Sequence, residues 1–218
     1  MTKAFIFDLD GVIVDTAKYH YLAWKRIADE LGLKFDTRDN ELLKGVSRTR
    51  SFEIILELNG KKETPEYIDR YCTVKNEYYV DYISRLKEEE ILPGAKEFME
   101  EARKEGIKTA LGSASKNSRM ILQKLNIRHM FDAVIDGTKV KNAKPDPEVF
   151  LKGAEELGVD PTECVVFEDS SAGIAAAHNG GMRAVGVRNP EIRQSCDYYV
   201  NSFADISAPG LVKKVAGE

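Results

Sequence analysis

The chain has 218 residues, 43% hydrophobic and 31% charged, with a net charge of -4, an ordinary globular balance with enough apolar material for one large domain or two smaller ones. Basic residues are scattered rather than blocked, which leaves no electrostatic footprint for nucleic acid or an anionic membrane. No apolar segment reaches the roughly 18 residues of a membrane span, and the N-terminus enters a strand without a cleavable leader, so a cytoplasmic protein is expected.

The apolar run from Phe5 to Phe7 drives into Asp8, Leu9, Asp10 and Gly11. It reads as a central parallel strand buried on both faces, with both carboxylates beyond its end, where ligands gather in open α/β sheets. From about Lys18 to Ser84 the pattern is helical almost throughout: Leu22, Ala23, Ile27, Ala28 and Leu31, then Phe52, Ile55 and Leu56, then Tyr67 to Ile83 recur at three- and four-residue steps. After Pro93 and Gly94 the texture changes to alternation. Helices are predicted over Ala95 to Lys104, Ser118 to Leu125, Pro147 to Leu157 and Ala172 to Asn179. Strands are predicted over Ile107 to Leu111, Ala133 to Ile135, Cys164 to Phe167 and Ala184 to Val187. The tail from Asp205 to Glu218 reads as a terminal helix started after Pro209.

Strands alternating with helices indicate βαβ units with right-handed crossovers. The expected fold is therefore α/β, a doubly wound, Rossmann-like parallel-sheet core over residues 1–15 and 89–218. A helical cap is inserted over residues 16–88. Two short linkers would let the cap close like a lid above the strand ends, excluding water. Cys72, Cys164 and Cys196 are odd in number and widely spaced, so neither a disulfide framework nor a clustered zinc site is expected.

Four constellations fall at strand ends, each with a bland alternative. Asp8 and Asp10 could start a turn or cap a helix. Ser113, followed by Ala114, Ser115, Lys116 and Asn117, could bind an anion at a helix N-terminus or simply cap that helix. Lys144, before Pro145, Asp146 and Pro147, could be a solvated lysine ahead of a helix that Asp146 caps and Pro147 begins. Glu168 and Asp169, adjacent at the end of a buried strand, would repel each other unless a cation neutralises them. Taken together, Asp8, Asp10, Glu168 and Asp169 offer oxygen ligands only, which suits Mg²⁺ beside a phosphate better than zinc. Lys144 and the Ser113 hydroxyl would then face the remaining phosphate oxygens. Asp8 could attack phosphorus and form an aspartyl phosphate while Asp10 handles the proton.

With these residues in this order, the chain resembles the haloacid dehalogenase superfamily of phosphotransferases along its whole length. The resemblance implies that Asp8 is nucleophile and metal ligand and that Asp10 is acid/base and also a ligand. It implies that Glu168 and Asp169 help hold Mg²⁺ and that Ser113 and Lys144 bind the transferring phosphoryl group. In the cap, Leu43, Lys44, Gly45, Val46, Ser47 and Arg48 look like the cap motif of β-phosphoglucomutases. There the lysine-glycine turn meets the sugar and the arginine holds the phosphate that is not being transferred. His20 and Lys75 match cap positions that place the acid/base in that family, and Thr16 and Ser51 join the implied binding set. Ser115, Lys116 and Asn117, with Ala114, would meet the distal phosphate.

Two phosphate sites suit a mutase that moves phosphate between C1 and C6 of a hexose. The runner-up is a phosphatase of the same superfamily acting on a small sugar phosphate. A response-regulator receiver uses similar groups, but its acid pair precedes its acceptor and it lacks a helical insert. A monomer with a small-molecule partner is expected. His129 and His178 are assigned no role, and Trp24 is expected to pack the cap core rather than line a site.

Overall fold

A computed structural model of the chain describes residues 2–43 and 47–216. The chain divides into two compact units, Met1–Asp15 with Leu86–Glu218, and Thr16–Arg85.

The first unit is built on a parallel sheet. Among the described residues its strands are β1 (Ala4–Phe7), β2 (Lys108–Gly112), β3 (Ala133–Ile135), β4 (Cys164–Glu168), β5 (Arg183–Val187) and β6 (Tyr198–Val200). They lie in the order β3-β2-β1-β4-β5-β6, with every neighbouring pair parallel. The order reverses direction between β1 and β4, which is the switch point where open α/β sheets bind ligands. Helices α5 (Ala95–Lys104), α6 (Ser118–Lys124), α7 (Glu148–Leu157), α8 (Ser171–Asn179) and α9 (Ala208–Ala216) complete this unit.

Both faces of β1 are covered, which explains its unbroken apolar sequence. Phe5 and Phe7 point into an aromatic cluster with Phe98, Phe167 and Phe203, in which the Phe7 and Phe167 rings stack at 4.7 Å. Ala4 and Ile6 point the other way, into a core shared with Ala110, Phe150, Ala154 and Val166. Full burial of side chains of this size contributes roughly 1.5–3 kcal/mol each, so the register of β1 is held from both sides. Phe7 is level with Leu111 on β2 and Phe167 on β4. Asp8 therefore emerges beside Glu168, and its N–H donates to the Phe167 carbonyl at 3.0 Å.

The second unit is helical: α1 (Ala17–Glu30), α2 (Thr37–Glu41), α3 (Arg48–Leu58) and α4 (Pro65–Ile83). Asp36 and Asp39 form a reciprocal capping box at the start of α2, and Thr64 caps α4 with Pro65 in its first turn, each satisfying N–H groups that a helix start leaves over. Its core gathers Trp24, Ile27, Phe35, Phe52, Ile55 and Cys72. Trp24 packs flat on Phe52 at 5.6 Å, as a core residue should.

Several sequence expectations need correction. β6 was not predicted, because a run of only three residues, Tyr198–Val200, is too short to stand out as a strand. The last helix begins at Ala208, before Pro209 rather than after it, since proline is tolerated in a first turn. Pro147 is the N-cap of α7 rather than its first residue, although Asp146 does take the Glu148 N–H at 2.9 Å. Glu168 is the last residue of β4, not the first beyond it. No helix among the described residues is long and apolar enough to cross a membrane.

Candidate active site

The residues between β1 and Asp15 fold into a tight turn. The Ile13 and Val14 N–H groups both donate to the Leu9 carbonyl, and the Gly11 N–H donates to Val14. Gly11 has φ +75°, and a Cβ there would stand 2.0 Å from Asp169 Oδ2. Only glycine permits both that conformation and the approach of the Asp169 carboxylate to this turn. The Asp8–Gly11 turn and the end of β4 therefore share one small volume.

Lys144 closes it. Its Nζ donates to Asp8 Oδ1 at 2.5 Å and to Glu168 Oε1 at 2.6 Å, with all three side chains almost wholly buried. The ammonium also lies 4.7 Å from the Phe150 ring centre of α7, and the Lys144–Pro145 bond is cis. The other Glu168 oxygen, Oε2, accepts from the Ser170 N–H and hydroxyl at 2.8 and 2.9 Å. A Cβ on Gly173 would collide with Glu168 at 1.9 Å, so the first turn of α8 is opened for this carboxylate. The solvated-lysine alternative for Lys144 does not hold.

Charge in this cluster is under-compensated. Burial, together with Glu168 and Asp10, raises the Asp8 carboxyl well above its ordinary value despite Lys144. Burial, then the neighbouring Glu168 and Asp10, pushes Asp169 up to about 7. Burial alone would lower Lys144, but Asp8 and Glu168 more than reverse this and hold it charged. An oxygen-only donor set with excess negative charge is the chemistry a hard cation offsets. Among the described residues no three His, Cys, Asp or Glu side chains form a ready-made metal cluster.

Ser113 is buried at the end of β2, and its N–H donates to the Ile135 carbonyl of β3. The expectation that it stands at a helix N-terminus fails, because α6 begins only at Ser118. Instead its hydroxyl accepts the Ser115 N–H at 3.1 Å, and the Ser115 hydroxyl accepts the Asn117 N–H at 3.3 Å. This loop rests on Gly137, whose N–H donates to the Ser115 carbonyl and whose missing Cβ would lie 2.1 Å from the Ala114 carbonyl. Ala114 and Lys116 are exposed, and Ser115 and Asn117 half-buried. Asp136, buried beside Gly137, accepts from Thr138 and from Arg119 Nε at 2.8 Å. These bonds outweigh burial and hold its carboxyl below the usual range.

In the helical unit, Lys75 Nζ lies 2.7 Å from His20 Nδ1. The half-buried imidazole stacks on Tyr79 at 4.0 Å. Burial, then Lys75 and Arg48, lower His20 to about 3, so the ring is neutral, with Nδ1 accepting from the ammonium and the proton on Nε2. The buried Thr16 hydroxyl accepts from the Tyr79 hydroxyl at 3.1 Å. Arg48 opens α3, is exposed, and donates to Asn76 Oδ1 at 2.9 Å. Ser51 is buried and donates back to the Ser47 carbonyl. Thr16, His20, Lys75, Arg48 and Ser51 thus all lie in this unit, while Lys44, Gly45 and Val46 lie outside the described residues. His178 pairs with Asp197 at 2.9 Å.

Sequence reasoning missed Asp136, Gly137 and Ser170. The first two repeat the signal that singled out Asp10 and Gly11, an acid and a glycine just past a strand. Ser170 carried the ordinary signal of a helix cap, and it caps α8 through Gly173.

Comparison with known proteins agrees with this geometry. A family model for haloacid dehalogenase-like hydrolases matches residues 5–187. A β-phosphoglucomutase of Bacillus subtilis is 42% identical over 94% of this chain and 92% of its own length. A fructose-1-phosphate phosphatase of Escherichia coli is 37% identical over 84% of this chain and 95% of its own. The crystal structure of a β-phosphoglucomutase from Clostridium difficile superposes with a TM-score of 0.90 at 42% identity, covering 100% of this chain and 98% of that one. A buried aspartate at the switch point of a doubly wound sheet, joined to a lysine and a second acid, thus coincides with similarity along nearly the full length, and the chain belongs to the haloacid dehalogenase-like hydrolase family.

Proposed function

We propose that this chain is a Mg²⁺-dependent β-phosphoglucomutase, interconverting β-D-glucose 1-phosphate and glucose 6-phosphate through an aspartyl phosphate and β-glucose 1,6-bisphosphate. The observation that carries the phosphoryl-transfer chemistry is the Asp8 carboxylate at the end of the central strand, hydrogen-bonded to Lys144. The assignment of mutase rather than phosphatase leans on the 42% identity to a β-phosphoglucomutase over 94% of the chain, helical insert included.

Asp8 attacks the C1 phosphorus of β-glucose 1,6-bisphosphate, forming a P–O bond as the bond to the C1 oxygen breaks and glucose 6-phosphate leaves. Asp10 delivers a proton to that departing oxygen. In the complementary half-reaction the C6 hydroxyl of a glucose 1-phosphate attacks the phosphorus on Asp8 while Asp10 takes its proton, and the Asp8–phosphorus bond breaks to free the carboxylate and form the 1,6-bisphosphate. Lys144 balances charge on the phosphoryl oxygens, and the Ser113 hydroxyl hydrogen-bonds one of them. Such transfers depend on positioning and charge neutralisation. Mg²⁺ held by Asp8, Asp10, Asp169 and Glu168 would supply the remaining neutralisation of the transferring group. In the helical unit the same reading assigns Arg48 to the phosphate that is not transferred, since a guanidinium matches phosphate by forked bonding.

A second reading, a phosphatase of small phosphorylated sugars, is favoured by the 37% identity to a fructose-1-phosphate phosphatase. Product analysis separates the two. Purified protein with Mg²⁺, β-glucose 1-phosphate and a trace of the bisphosphate should yield glucose 6-phosphate with little inorganic phosphate. Stoichiometric phosphate release without isomer would overturn the mutase assignment in favour of the second reading.

A further inference from the structure

The two acids at the end of β4 are adjacent in sequence yet face different partners. Asp169 lies against Gly11, and Glu168 is bound to Lys144 and Ser170. One peptide group joins these arrangements. The N–H of the Asp169–Ser170 peptide donates to Glu168 Oε2 at 2.8 Å. Its carbonyl, that of Asp169, accepts from the side-chain amide of Asn189 at 2.8 Å. Because a peptide is planar, holding the carbonyl also fixes the direction of the N–H. A rotation of this plane would release Glu168 and swing Asp169 at the same time.

Asn189 is itself firmly held. Its side-chain oxygen accepts the Glu191 N–H at 3.1 Å, so each end of the amide has a one-way partner and its orientation is determined. The preceding Arg188 has φ +60°, a left-handed conformation that a non-glycine residue keeps only where its surroundings hold it. The Arg188 N–H is anchored to the Val200 carbonyl of β6 at 3.0 Å. The turn after β5 is thereby bent back over the end of β4.

We propose that Asn189 is a positioning residue, which orients Glu168 and Asp169 for cation binding by clamping the peptide that follows them. The inference rests on the reading of these acids as part of a Mg²⁺ site and adds to it a group that touches neither metal nor substrate. Outer partners that orient metal-binding groups commonly change affinity about 10- to 100-fold when lost. Asn189→Asp keeps the acceptor for Glu191 and replaces the donor with an oxygen that repels the Asp169 carbonyl. Asn189→Ser keeps a capping hydroxyl on a shorter side chain.

Mg²⁺ should be titrated calorimetrically into wild type, both variants and Asp169→Asn, without substrate, with melting in EDTA as the folding control. The proposal expects both Asn189 variants to bind Mg²⁺ about tenfold more weakly, with unchanged melting in EDTA and, at saturating Mg²⁺, an unchanged KM for the sugar phosphate. Wild-type Mg²⁺ affinity in both variants, or loss of folding in both, would overturn the positioning role. Wild type that takes up no Mg²⁺, or Asp169→Asn that binds as wild type does, would overturn the underlying cation reading, and the role of Asn189 with it.

Discussion

Lys144 satisfies two buried carboxylates at once, and that dual duty makes its removal informative. Asp8 and Glu168 would be left facing each other without a positive partner, and breaking a buried ion pair in this way typically costs about 3–5 kcal/mol. Lys144→Met should therefore be strongly destabilised in urea at pH 8 in EDTA. The penalty should shrink toward pH 5 as the Asp8 carboxyl, raised by its burial, takes up a proton. An equal loss at both pH values would mean that only packing had been removed. Asp8, Glu168 and Asp169 were legible in the sequence because each stands at or just beyond an apolar strand, and Lys144 because it opens the Lys144-Pro145-Asp146-Pro147 run ahead of α7. Asn189 was not, since a lone asparagine in a loop carries no mark of the carbonyl it reaches 20 residues away.

Among elements, the loop from Ser113 to Asn117 is shaped less by α6 than by the turn after β3. Gly137 is where the two meet, with no room for a methyl group against the Ala114 carbonyl. Gly137→Ala should push the loop outward. Overpacking of this kind costs about 1–3 kcal/mol, and a displacement of about 1 Å near a reacting group can cost 10²-fold in rate. We expect kcat/KM for β-glucose 1-phosphate to fall at least about tenfold, with the protein still folded by circular dichroism. Unaltered kinetics would show that the loop does not take part in binding. The strands and helices after Pro93, β6 excepted, were read from periodicity to within a residue or two, the usual spread at element ends. The loop's support was not readable, because it depends on the pairing of β2 with β3.

For the whole molecule, the acid-rich strand ends make stability depend on pH and on divalent cations together. Asp169, raised to about 7, holds in the folded state a proton that the unfolded chain gives up near its ordinary value of 3.8. Its contribution is therefore complete below that value and is lost as pH rises toward 7. In EDTA, wild type should lose stability between pH 4 and pH 7 more steeply than Asp169→Asn, as followed by urea midpoints. Added Mg²⁺ should reverse the trend at neutral pH by binding the ionised form. Parallel pH curves for the two proteins would argue against the raised carboxyl.

The sequence by itself determined the alternation of strands and helices, the helical insert after the first strand, and the acids and lysine at the strand ends, because burial and local backbone preference act on neighbours along the chain. Only the tertiary structure decided which of those groups meet. It set Lys144 between Asp8 and Glu168, laid Asp169 against Gly11, rested the Ser113 loop on Gly137 and turned Asn189 back onto β4. Such contacts join segments far apart in the chain, and strand order and register, which no single stretch of sequence encodes, bring them within hydrogen-bonding reach.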